Sequence, residues 1–195
     1  LTFHVLSMAD LMVVLLALLE VTFEGFTAKS FFDLSAVTGH LRHLNSDLVS
    51  LMAQLFEIYS SDDIDLILNL TCAIERSSAI IGLRDHRNSP TLYFCELDMG
   101  ACGLTPQSIR NSRSSSELER FLEGQITIVK SDLISTLSQL SRNLRKRGKF
   151  FTTQAEINLQ VLDLALKKNC RVLENRMELL PIRKLWLAWK VKNWG

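Results

Sequence analysis

Along most of the chain apolar residues recur at the i, i+3, i+4 spacing of a helix buried on one side, and residues suited to capping stand where these runs begin. The longest run spans Ser114 to Gly148. Leu118, Leu122, Val129, Leu133, Leu137, Leu140 and Leu144 form one seam, Ser116 and Glu119 have capping-box spacing, and Arg145, Lys146 and Arg147 crowd the last turn ahead of Gly148. The pattern predicts a single long helix. A second capping-box pair, Thr153 and Glu156, predicts another that reaches about Leu179 before Pro181 stops it.

The first half reads in the same way. Leu11–Leu19 is an uninterrupted apolar run behind a start signal at Ser7 and Asp10, and it predicts a buried core helix ended near Gly25. A second helix is expected from Thr27 or Ser30 toward His43. Asn45–Asp47 offers caps for a third, with Leu48, Leu51, Met52, Leu55, Phe56 and Tyr59 on its buried side, unless the two are one bent helix. Ser60, followed by Asp62, Asp63 and Asp65, caps a helix expected to reach about Arg84, its carboxylates opposing the positive end of the helix dipole.

Residues 90–115 break the pattern, with two of the three prolines, two of the four cysteines, and Gly100 and Gly103. This is the signature of a loop-rich linker. Thr105 before Pro106 predicts a short helix to Asn111, and Thr91–Leu97 leaves one short extended piece open. The predicted fold is all-α, with two helical halves joined by that linker: an acidic N-terminal helical domain over 1–89 and a basic C-terminal one over 116–195. Composition agrees. A chain of 195 residues with 47% hydrophobic content can bury a real core, and 8 glycines and 3 prolines are too few for many short strands.

Chemistry is sparse. His40, His43 and Asp47 have helical metal-ligand spacing, but the H-E-x-x-H order is missing and neither a metal nor a cofactor is expected. Gly100–Gly103 ahead of Thr105 lacks the lysine and spacing of a phosphate-binding loop. Cys72, Cys95, Cys102 and Cys170 fit neither a zinc ribbon nor a C-x-x-C motif, although Cys95 and Cys102 flank a loop and are a candidate pair in an oxidising compartment. Asn69–Thr71 is a glycosylation sequon inside a predicted apolar helix, the wrong place for an acceptor. Leu11–Leu19 lacks the basic start of a secretory signal and is too short to span a bilayer. With no nucleophile elbow or dinucleotide fingerprint, no enzymatic activity and no small-molecule substrate are expected.

Charge carries more. The chain is nearly neutral, yet residues 1–90 hold 5 Lys and Arg against 11 Asp and Glu, while residues 91–195 hold 17 against 10. Basic residues cluster twice, at Arg142, Arg145, Lys146, Arg147 and Lys149, and at Arg183, Lys184, Lys190 and Lys192 among all three tryptophans. The first cluster precedes Phe150 and Phe151, which could stack bases, and so leaves nucleic acid or nucleoprotein open as a partner. The second lies on a predicted helix with two apolar seams. Ile182, Leu185, Trp186 and Trp189 are expected to pack on the chain's own bundle, leaving Leu187, Val191 and Trp194 for a neighbour or lipid.

These features lead to an expectation of a self-associating structural protein. Its basic half would contact an anionic membrane or nucleoprotein, in the cytoplasm, at a membrane surface or within a virion. Viral matrix proteins share that organisation of helices and charge. Two alternatives stay open: a secreted helical-bundle signalling protein of cytokine type, and an intracellular helical adaptor.

Overall fold

The computed structural model describes residues 30–111 and 114–194, with side chains as far as Lys192. Leu11–Leu19 and its predicted helix lie outside the described residues, as do the side chain of Trp194 and the start signal at Ser7. Among the described residues there are nine helices and no strand, so the fold is all-α. They are α1 (Leu34–Leu55), α2 (Ser61–Ile81), α3 (Leu83–His86), α4 (Glu96–Ala101), α5 (Pro106–Asn111), α6 (Ser116–Gln139), α7 (Arg142–Arg147), α8 (Lys149–Lys167) and α9 (Pro181–Trp194).

Helix α1 is continuous where two helices were the first expectation. Asp33 caps it by accepting from the Ala36 amide at 2.8 Å, and the residues that looked like internal caps turn back along it instead. Asn45 donates to the Leu41 carbonyl and Ser46 to that of His43. These local bonds let polar side chains sit in a helix without ending it. The buried side carries Val37, Leu41, Val49 and Ala53, so the predicted stripe is rotated outward and Leu48, Leu55 and Tyr59 are exposed.

Ser60 opens α2 as predicted, accepting from the Asp63 amide, and Asp62 and Asp63 occupy the first turn. From Ile67 to Ile80 the helix is buried on nearly every side, and it packs against α1, α6 and α8. It is the centre of the described structure. Residues on both sides of 90–115 therefore share one core, and the division at the linker is one of charge and composition. The 90–115 segment itself lies on that core, burying Leu92, Phe94, Met99, Leu104 and Ile109. Its Glu96 amide donates to the Phe31 carbonyl beside a single parallel bridge between Phe31 and Cys95.

The seam predicted for 118–144 is buried throughout, but the helix carrying it is not continuous. It starts one position earlier than the predicted box: Ser115 accepts from the Leu118 amide, and Ser114 bonds the Glu119 carboxylate at 3.0 Å. It breaks after Gln139. Leu140 is extended, and Ser141 caps α7 by accepting from the Leu144 amide. Arg145 donates to the carbonyls of Leu137 and Leu140 and so ties the two sides of the break together. Helix α8 begins at Lys149 and stops at Lys167, ahead of the expected Leu179, because Asn169 and Cys170 take left-handed φ values of 53° and 56°. The Cys170 amide then bonds the Ala165 carbonyl at 2.9 Å, closing the helix end.

Helices α2 and α8 also share a buried polar joint. The Asn158 amide donates to Ser77 Oγ at 2.6 Å and to the Ile74 carbonyl at 3.3 Å, while Gln154 donates to Asn158 Oδ1 at 3.0 Å. Asn158→Ala leaves Ser77 and Gln154 short of a partner and is expected to cost about 1–3 kcal/mol. An unchanged midpoint in urea unfolding would show that the joint contributes nothing.

Candidate functional site

Helix α9 is the most exposed apolar element described. Pro181 stands at its first position, where its missing amide proton is no loss, and the helix then runs along α8. Its inward side is narrow: Leu187 is 1% exposed, with Lys184, Ala188 and Val191 half-buried around it. The outward side holds Ile182 at 72%, Leu185 at 67%, Trp186 at 52% and Trp189 at 55% exposure. Leu180, just ahead of the helix, is exposed as well.

This reverses the predicted seams. Leu187, assigned to an outside partner, is core, and the tryptophan seam assigned to the core faces out. Both seams are apolar enough for either role. The small Ala188 beside Leu187 lets the backbone approach α8, whereas two indoles on that side would hold it away.

Cations flank the outward seam. At 100° per residue Arg183 and Lys190 fall along one edge and Lys192 along the other, and all three are exposed. Arg183 Nε donates to Gln160 Oε1 at 2.8 Å, fixing the helix on α8, and Lys190 Nζ lies 5.8 Å from the Trp186 ring centre. Half-buried Lys184 keeps its stem against the protein.

The first basic cluster is partly committed to the fold. Arg145 closes the α6 end, and Arg147 donates to the carbonyl of Glu57, a left-handed residue at φ 57°. Arg142 and Lys146 are exposed on α7, and Lys149 is half-buried. Phe151 is buried and meets Phe56 edge-on at 6.4 Å, so of the two rings proposed to stack bases only Phe150 is exposed.

The remaining motifs have structural placements. His40 stacks on Tyr93 and lies tilted against Phe31, whereas His43 is exposed. Among the described residues no three His, Cys, Asp or Glu side chains are grouped to hold a metal. Gly103, at φ 71°, ends α4, while Thr105 and Ser108 bond each other's amides and so occupy the donors an anion cradle would use. All four cysteines are free. Cys95 and Cys102 cap opposite ends of α4, about 10 Å apart along a helix axis, which is too far for a disulfide. Burial pushes the Cys72 and Cys170 thiols up to about 11, so both stay protonated and unreactive at neutral pH.

No protein-family model matches the chain, and no curated protein is significantly similar to it. No helix among the described residues is long and apolar enough to cross a membrane. What is defined is an all-α bundle that carries an outward tryptophan seam edged with cations.

Proposed function

We propose that the protein is a non-enzymatic structural protein that holds to anionic membrane surfaces through the outward face of α9. The observation that carries this reading is the coincidence, on one helix, of four large apolar side chains turned to solvent with Arg183, Lys190 and Lys192 along their edges. Such a helix lies in the plane of a bilayer, its apolar side in the headgroup region. Tryptophan favours that depth, and each nearby cation adds about 1 kcal/mol of attraction to acidic lipid. The charge split along the chain supports a second property, head-to-tail association of copies through surfaces of opposite charge.

Vesicle flotation tests the reading. Three flanking cations are expected to raise binding to vesicles containing about one-third phosphatidylserine roughly a hundredfold over neutral phosphatidylcholine, with the gain lost in high salt. Equal binding to the two vesicle types would remove the electrostatic part. No binding to either, together with capture of single-stranded RNA, would move the function to nucleoprotein.

A further inference from the structure

Arg76 is the one charged residue buried in the middle of the bundle among those described. Its side chain is 8% exposed, and Nη1 pairs with Asp132 Oδ2 of α6 at 2.6 Å. Nη2 is buried and makes no hydrogen bond. A guanidinium carries five N–H donors, and leaving one buried and unpaired costs about 1–3 kcal/mol, so native structures usually supply an acceptor. The Asp132 carboxylate supplies one contact and stands at the surface, 44% exposed.

Arg76 also lines a cleft of about 260 Å³ between α1, α2 and α6. Acceptors remain in its walls at the Asp132 carboxylate and the Thr38 and Thr136 hydroxyl oxygens, and donors remain beside them. Thr38 and Thr136 already give their hydroxyl protons to the carbonyls of Leu34 and Asp132. Asn69 Oδ1 accepts from Arg42, which leaves its amide donors open. Gln139 gives one N–H to Ser135 Oγ at 3.3 Å, so its second N–H and the Ser135 hydroxyl proton remain available. Cys72, also in the wall, stays a neutral thiol and adds no competing charge. Arg76, Asn69, Ser135 and Gln139 thus offer donors around a space large enough for a small molecule.

We propose that this cleft binds a small, singly charged organic carboxylate, one oxygen of which takes the unpaired side of Arg76 while Asn69, Ser135 and Gln139 donate to the rest. Nη2 has almost no accessible surface, so entry of the ligand requires the exposed Asp132 side chain to turn aside. A dianion is disfavoured because it would face the Asp132 carboxylate at close range. The proposal is independent of α9 and of membrane binding.

The test is titration of the full chain with acetate and with benzoate at constant ionic strength, followed by amide and side-chain ¹H–¹⁵N shifts. Saturable shifts are expected at Arg76, Asn69 and Gln139. Asp132→Asn keeps an acceptor for Nη1 but removes the competing charge, and is expected to tighten binding about tenfold. Gln139→Ala, at an exposed position, is expected to weaken binding severalfold without moving the unfolding midpoint. Arg76→Lys should abolish binding, and its fold is checked by the same spectra. The assignment is overturned if no saturable shift appears, if Asp132→Asn weakens binding, or if chloride and inorganic phosphate produce the same response.

Discussion

Replacing Leu187 with alanine is expected to lower the unfolding free energy by about 2–5 kcal/mol, the usual cost of deleting a fully buried leucine side chain. Trp186→Ala, one residue earlier and larger in volume, should stay within about 0.5 kcal/mol of the parent because its ring faces solvent. On vesicles the order inverts. Trp186→Ala combined with Trp189→Ala removes most of the outward apolar face and should weaken binding to acidic vesicles at least about tenfold, since burying such a side chain contributes about 1.5–3 kcal/mol. Chemical unfolding and flotation on the same three proteins give the comparison. If the tryptophan variant is the destabilised one, the inward seam has been misassigned.

The second large effect concerns the linker. Ile67 and Leu70 of α2 have no exposed surface, and the side chains covering that helix come from α6 and α8 as well as α1. Fragments 1–115 and 116–195 expressed separately are therefore expected to show no cooperative thermal transition, and mixing them should restore one. A sharp transition in fragment 116–195 alone would mean that the C-terminal helices hold a sufficient core without α2. The linker charge boundary would then coincide with a folding boundary.

Local signals in the sequence were the legible ones. Ser60 with its trailing carboxylates and Thr105 with Pro106 each act within one turn, and each stands at a helix start. The leucine seam from Leu118 to Leu144 was legible because mostly polar residues stand between its members. What stayed hidden depends on partners distant in sequence. The break at Leu140 is held by Arg145 reaching back to two carbonyls, and a basic residue near a helix end looks the same whether or not it does so. Ranking the two seams of α9 required knowing that Ala188 could approach α8. The stripe on α1 was misplaced for a similar reason, since Leu48 and Val49 are equally apolar and burial depends on where α2 lies. Arg76 did leave a trace. A lone cation within the apolar run Leu66–Ile81, four residues from Cys72 on the same side of the helix, marks a buried charge in need of partners, though Asp132 lies 56 residues on.

The central position of α2 has a consequence for synthesis. When Ile81 leaves the ribosome, the residues of α6 and α8 have not yet been made. At about 5–20 residues per second, the roughly 86 residues from there to Lys167 take about 4–17 s to appear. During that interval a helix apolar on nearly every side has α1 and the short α3 against it but neither α6 nor α8. Slow translation across the α6 to α8 region is therefore expected to favour aggregation over yield.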